Sequence, residues 1–394
     1  MLRPILALCL SAVFALSGCA ALYDRSAVVP PADRYEEFQP VGFDRPIRMY
    51  DDARGEDLEA LLGSYRDWAA HWPGSRRGLD ILALSGGGQY GAFGAGVLAG
   101  WTEAGTRPRF DMVTGVSTGA LIAPFAFLGP DYDDRLKRFY TQTSTKDILS
   151  INIAGLFGGR GAVASTAPLA AAIERELDAD LIRAIAREAR SGRSLLIGTT
   201  NIDAERPVIW DIGAMAQVDT PEAHAMIRRV LLASAAIPIA FEPVRIPVTD
   251  GTLLREELHV DGGLTRQIFV YPGNLDMRRL LREMGASGKR NEIWLLQNQR
   301  IKRRFEAQSV GIARMGKRTY DLLLQSQSIG DEDFILSLAA RDGFNAHTLA
   351  IPARFDAEPE EVFDPEFMGK LFDLGFEIGK SGDQWNRNAQ RRFK

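Results

Sequence analysis

Short apolar runs alternate along the chain with segments of helical periodicity. Ile81-Leu82-Ala83-Leu84 is continuously apolar and stops at Ser85 and three glycines, which predicts a buried strand over 80–84 and then a bare loop. Small residues follow at helix-like spacing, Gly91, Ala92, Gly94 and Ala95, and predict a tightly packed helix to about Ala104. A short buried strand is predicted at 111–114, with an apolar helix from Thr118. Further helices are predicted at 131–142, 167–177, 179–190 and 221–235, mostly helix over 304–340, and a closing helix at 364–380. Strands are predicted at 194–199, 207–211 and 292–299 and in AHTLAIP at 346–352. Between them, IPIAFEPVRI leads through a turn at Asp250-Gly251 to ELHVDGGLTRQ. Strands alternating with helices predict an α/β domain with a largely parallel sheet and helices on both faces.

Two segments stand apart from this rhythm. GEDLEALLGSYRDWAAHW at 55–72 carries a helical stripe from Leu58 to Ala69, ended by Pro73-Gly74. SINIAGLFGGRGAV at 150–163 is apolar but rich in glycine, which predicts a mobile loop and a candidate lid. Residues 20 to about 50 are rich in Pro, Asp, Glu and Arg with little periodicity, and read as a tether.

The start of the chain sets the compartment. Arg3, an apolar stretch from Ile5 to Leu16 and then Leu16-Ser17-Gly18-Cys19 fit a secretory signal that is too short for a comfortable membrane span. The Leu-Ser-Gly-Cys ending resembles a bacterial lipobox. That resemblance implies cleavage before Cys19, lipidation of its thiol and acylation of the new N-terminus. With Ala20 next, it implies sorting to the outer membrane, on the periplasmic side of a bacterial envelope. Cys9 lies in the part removed, so the mature chain keeps no thiol for disulfides, metal binding or catalysis. The expected division is a signal over 1–18, a tether and N-terminal helix over 19–78, and one domain over 79–394.

Composition is ordinary for a globular protein, 46% hydrophobic and 25% charged among 394 residues. A net charge of −4, without a basic face, argues against a nucleic-acid partner.

Three stretches carry chemistry. The first is the loop Gly86-Gly87-Gly88, whose backbone N–H groups can point at something negative. Gly86-x-Gly88-x-x-Gly91 also fits a dinucleotide fingerprint, with Asp111 at the distance of its acidic residue. The second is Gly115-Val116-Ser117-Thr118-Gly119, a Gly-x-Ser-x-Gly between a predicted strand and a predicted helix. A sharp turn there holds the Ser117 hydroxyl exposed at a helix N-terminus, where the dipole favours developing negative charge. The third is Val260-Asp261-Gly262-Gly263, which places a carboxylate at a strand end on a turn small enough for another loop to approach. It also reads as a plain Asp-Gly-Gly turn.

A serine needs a base at neutral pH. His71, His224 and His259 read as helix-surface and strand residues, and none sits in a recognisable signature. His347 follows in the order serine, acid, histidine, and so leaves a triad with Asp261 open. Asp261 can also accept the serine proton directly.

Taken together, the triple glycine after a strand, the serine about 30 residues later and the Asp-Gly-Gly some 140 residues beyond resemble the patatin-like phospholipase family. Ala233-Ser234-Ala235-Ala236-Ile237-Pro238 extends the resemblance, which covers roughly residues 80–270. It implies a three-layer α/β fold with a mainly parallel central sheet flanked by helices. It implies a Ser117–Asp261 dyad in place of a triad, and an oxyanion hole supplied by Gly86, Gly87 and Gly88. The implied activity is hydrolysis of fatty-acyl esters of membrane lipids, with no metal or organic cofactor. Where the family's loop carries Arg or Lys, this chain has Tyr90, which offers a hydroxyl and an aromatic face and points away from a phosphate headgroup. A non-enzymatic envelope lipoprotein that binds acyl chains or a partner on a hydrolase scaffold is the alternative.

Overall fold

The computed structural model describes residues 25–53, 70, 72, 78–151, 162–300, 311–382 and 385. The signal segment, Cys19, His71, nearly all of the 55–72 helix and the centre of the 150–163 loop lie outside these residues.

Strands β1 (Gln39–Pro40), β2 (Arg48–Tyr50) and β3 (Asp80–Leu84) come first, followed by α1 (Gly91–Glu103), β4 (Met112–Val116) and α2 (Thr118–Leu128). Next come α3 (Asp133–Gln142), α4 (Thr145–Ile148), β5 (Ser150–Ile151), β6 (Ala162–Ser165), α5 (Ala167–Glu176) and α6 (Ala179–Arg190). Then β7 (Ser194–Asn201), β8 (Arg206–Asp211), α7 (Ile212–Ala216), α8 (Pro221–Ser234), β9 (Ile239–Phe241), β10 (Val244–Thr249) and β11 (Leu254–Asp261) follow. The chain closes with α9 (Met277–Glu283), β12 (Glu292–Gln297), α10 (Ile312–Asp342), β13 (Asn345–Ala350) and α11 (Pro365–Ser381).

The centre of the sheet is parallel, in the order β7-β4-β3-β12-β13. β3 and β4 are buried on both faces, which is why β3 reads as a continuous apolar run from Ile81 to Leu84. Beyond β7 the sheet turns antiparallel through β8, β11 and β10, with β2 and β1 at its margins. Helices cover both faces, so the expected α/β architecture with a mainly parallel core is present. Chain order runs outward from β3 in both directions, to β4 and β7 on one side and to β12 and β13 on the other. The crevice at the carboxyl ends of strands around such a switch point is where open α/β sheets place ligands.

Helices α1 and α11 cover one face in unusually close contact. A Cβ on Gly96 or Gly100 would run into the carbonyls of Phe372 or Phe376, and one on Gly375 or Gly379 into those of Phe93 or Val97. Four glycines thus let two backbones touch, and this fixes α1, the helix that follows the glycine loop.

Two expectations are corrected. Residues 25–53 do not hang as a tether: β1 pairs with β10 and β2 with β8, and Phe38 and Ile47 are fully buried. Arg48 grips the buried Glu257 with both terminal nitrogens, one at 2.9 Å, and reaches the Phe38 carbonyl at 2.8 Å. Strands this short have no periodicity to read. Likewise, the ends of the 150–163 segment are strands, because β5, β6 and β9 form a small second sheet.

Candidate active site

Strand β4 ends at Val116 and α2 begins at Thr118, so Ser117 turns the chain alone, at φ 55° and ψ −124°. A non-glycine residue there holds of order 1–3 kcal/mol of strain and needs its surroundings to enforce it. Ser234, at the end of α8, does so. The Ser117 N–H donates to Ser234 Oγ at 3.0 Å, and that hydroxyl donates to the Gly198 carbonyl at 2.6 Å.

Asp261 arrives from the opposite direction. Val116 is the last residue of β4 and pairs with Gly198 of β7. Asp261 is the last residue of β11 and pairs with Thr199, the next residue of β7. Since β8 holds the other edge of β7 over 196–201, β4 and β11 share one edge and meet end to end. The collision brings the Ser117 hydroxyl up to the Asp261 carboxylate, whose ionised form it favours. The Gly263 N–H donates to Asp261 Oδ1 at 2.7 Å. Burial pushes the carboxyl up to about 7, against the opposing pull of the Ser117 hydroxyl and the Gly263 N–H. Near neutrality the group therefore exchanges its proton readily.

The glycine loop closes a third side. Gly87 has φ 153° and Gly88 has φ 58°, values that side chains resist. A Cβ at Gly87 would also strike the Asn298 carbonyl. Asn298, just past β12, accepts from the Gly94 N–H at 3.1 Å and donates to the Ser85 carbonyl at 2.9 Å, so it staples the loop to α1. One reading is corrected: the Gly86 N–H is spent on the Gln267 carbonyl at 3.0 Å, so it is no free donor. Gly87 and Gly88 open a one-turn 3-10 helix, where leading N–H groups find no acceptor inside the turn. Their N–H groups make no hydrogen bond among the described residues. Gly86 contributes space instead: a Cβ there would sit 3.2 Å from Ser117 Cβ.

Two hollows meet at Ser117, Gly88 and Ile237. One is a cleft of about 450 Å³ bordered by Tyr90, Arg300, Arg318, Tyr320 and Leu322. Tyr320 is pushed up to about 12, first by burial and then by the charge of Asp261, so its phenol stays protonated. The other hollow is a slot of about 30 Å³ lined by Leu121, Phe139, Leu169, Phe241, Phe363 and Met368. The cleft is open and carries charged side chains, Arg300 and Arg318, whereas the slot is narrow and apolar, a division suited to an ester whose two ends differ.

Residues 82–272 match the family model described as Patatin-like phospholipase, a span that holds the glycine loop, Ser117 and Asp261. They form a patatin-like phospholipase domain. Among solved structures, the chain is similar to a crystal structure of VipD from Legionella pneumophila, at 13% identity and a TM-score of 0.39. That similarity covers 77% of this chain and 66% of the other, so the chain spans just under two thirds of that protein's length. No curated protein matches the sequence.

Among the described residues no histidine enters the site of the patatin-like domain. His347 pairs with Trp294, which pairs with Leu82, which pairs with Val113. Ser117 lies four residues further along β4, roughly 13 Å along the strands and about 14 Å across three strand spacings. His347 instead stacks on Trp294 and hydrogen-bonds Glu292 at 2.6 Å, so the open triad reading is corrected. Both ring nitrogens of His259 are engaged, by Glu257 at 3.0 Å and Thr199 at 2.9 Å. His224 is buried rather than on a helix surface, and bonds Asp219 at 3.0 Å. The dinucleotide reading also falls: Asp111 precedes β4, at the far end of the strands, and accepts the Asp80 N–H at 2.9 Å.

Ser234 and Gln267 were not singled out from sequence. Ser234 lay in the quoted Ala-Ser-Ala-Ala-Ile-Pro stretch, where small residues signal a close approach. Gln267 is one polar residue before the apolar Ile268-Phe269-Val270, and it carries no local signal.

Proposed function

We propose that this chain is a serine acyl hydrolase of membrane lipids that works through a Ser117–Asp261 dyad. The observation that carries the reading is the meeting, at the facing ends of β4 and β11, of the strained Ser117 with the buried Asp261 carboxyl. Ser117 Oγ attacks the ester carbonyl carbon as Asp261 takes its proton. The carbonyl oxygen becomes an oxyanion facing the Gly87 and Gly88 N–H groups, where losing one such donor typically costs ~3 kcal/mol. The C–O bond to the alcohol breaks, and Asp261 returns the proton to that leaving oxygen. Water then attacks acyl-Ser117, gives a proton to Asp261 and releases the fatty acid, and Ser117 recovers its proton. In this reading the apolar slot faces the acyl side of the ester and the open cleft takes the leaving alcohol. Tyr90 does not leave that end without cations, since Arg300 and Arg318 border the same cleft.

The proposal extends to location. A lipidated Cys19 holds the domain on the outer membrane, facing the periplasm, where its substrate is concentrated.

The test is fatty-acid release from phosphatidylethanolamine–phosphatidylglycerol vesicles and from diacylglycerol emulsions, by the protein purified from residue 20 onward. The expected result is release by the wild type, with Ser117→Ala and Asp261→Asn lower by about a thousandfold or more. Release by Ser117→Ala at the wild-type rate overturns the reading.

A further inference from the structure

Gln267 spans the gap between the glycine loop and the Asp261 turn. Its carbonyl accepts the Gly86 N–H at 3.0 Å. Its Nε2 donates to the Gly263 carbonyl at 2.7 Å, beside the N–H that binds Asp261. Its own N–H is anchored on the buried Asp331 of α10, at 2.7 Å. The residue is 4% exposed.

These bonds fix the amide's orientation. The nitrogen must face the Gly263 carbonyl, so Oε1 faces the other way, towards Gly86. A Cβ built on Gly86 would lie 3.1 Å from Gln267 Oε1 and 3.9 Å from Ser117 Oγ. The two oxygens therefore flank the same small volume, which a glycine at 86 keeps free. Gln267 borders the cleft together with Ser117 and Asp261, and its Oε1 accepts no hydrogen bond among the described residues. A buried amide with one end tied and the other aimed at the reacting serine has an acceptor to offer.

We propose that Gln267 is a further catalytic residue, whose Oε1 holds the water that hydrolyses the acyl-Ser117 ester. The inference rests on the dyad reading above. The water donates one O–H to Gln267 Oε1 and the other to the Asp261 carboxylate, which leaves a lone pair on the acyl carbon. As the water oxygen bonds to that carbon, its proton passes to Asp261. The carbon–Oγ bond then breaks, and Ser117 Oγ takes the proton back from Asp261. Gln267 only orients, because a neutral amide oxygen does not compete for the proton. The first half-reaction uses no water, so Gln267 acts chiefly in the second.

The experiment follows p-nitrophenyl butyrate turnover by stopped flow, with intact-protein mass spectrometry of the quenched enzyme. Wild type, Gln267→Met and Gln267→Glu are compared. Gln267→Met removes the acceptor at similar volume. It is expected to keep a nitrophenol burst near one equivalent, to lose steady-state rate roughly ten- to hundredfold, and to accumulate a butyryl adduct on Ser117. Hydroxylamine, a stronger nucleophile, is expected to restore much of that rate. Gln267→Glu keeps an acceptor oxygen and is expected to turn over without adduct, with its pH profile moved upward by a second carboxylate beside Asp261. Burst and steady state falling in equal proportion in Gln267→Met, with no adduct, overturns the proposal and leaves Gln267 as a support for the loop. Adduct accumulation above the wild-type level in Gln267→Glu overturns it as well, and this arm decides alone if Gln267→Met does not fold. A folded wild type that does not turn over p-nitrophenyl butyrate at all and takes no adduct removes the dyad reading itself.

Discussion

Ser117 and Asp261 meet because the strands that carry them run towards each other along one edge of β7. Val116 pairs with Gly198 and Asp261 with Thr199, so the two strands end one residue apart on their shared neighbour. The separation of the two side chains is thus set by backbone register. A slip of one residue would turn a strand's side chains to the other face of the sheet. Behind Asp261 the same strand carries Glu257 and His259, both buried. Burial alone would raise Glu257, but Arg48 and His259 outweigh it and hold the carboxyl at about 2. The arm that supplies Arg48 therefore locks the strand that presents Asp261.

The first prediction concerns pH. In the proposed dyad Asp261 acts as a base when ionised, and its carboxyl is pushed up to about 7, so the acylation rate should rise through pH 6–8 and fall on the acid side. Stability has the opposite sign. A folded value raised from 3.8 to about 7 favours the folded state below 3.8, and that advantage is lost as pH rises through 7. Asp261→Asn escapes this penalty. In urea titrations it should match wild type near pH 4 and exceed it at pH 8 by up to about 4 kcal/mol. A difference that does not vary with pH would contradict the assignment.

Ser234→Ala should damage the turn without touching substrate. It strands the Ser117 N–H and the Gly198 carbonyl, at a cost of roughly 3 kcal/mol, and frees Ser117 to relax its φ. Chemical denaturation and steady-state kinetics should show lower stability and a kcat down by about tenfold, with KM little changed.

His347→Ala should retain activity. The loss of its stacking on Trp294 and its bond to Glu292 should lower the melting temperature. Loss of activity in a folded His347→Ala protein would return the triad to consideration.

The glycines of the loop should separate by cause. Gly87→Ala meets the Asn298 carbonyl at φ 153° and should fail to fold or fold poorly. Gly88→Ala has open space around its Cβ and should cost only about 1 kcal/mol for its left-handed φ. Its methyl group borders the cleft, so the folded protein should still lose acylation rate. Circular dichroism and esterase assays on the pair distinguish the two effects.

The stretches that placed the site could be read from sequence because each is a local backbone device. A buried strand running into Gly86-Gly87-Gly88, a serine between small residues at a strand–helix junction and Asp-Gly-Gly at a strand end each announce a conformation within a few residues. What stayed hidden depends on contacts between distant parts of the chain. Gly86 looked like its neighbours until Gln267, far along the chain, took its N–H. Ser234 reaches Ser117 across 117 positions of sequence. His347 was removed by strand register, which sequence order alone does not give. The arm at 25–53 was misread because β1 and β2 are two and three residues long, too short to show alternation.

The most direct measurement is serine-directed fluorophosphonate labelling of the protein purified from residue 20 onward, with mass spectrometry of the labelled peptide. Wild type, Ser117→Ala and Asp261→Asn are compared, with folding checked by circular dichroism. The account predicts a single label on Ser117 that is absent in Ser117→Ala and strongly slowed in a folded Asp261→Asn. A folded wild type that takes no label in detergent or on vesicles would contradict it, as would labelling of Ser117 at the same rate without the Asp261 carboxylate.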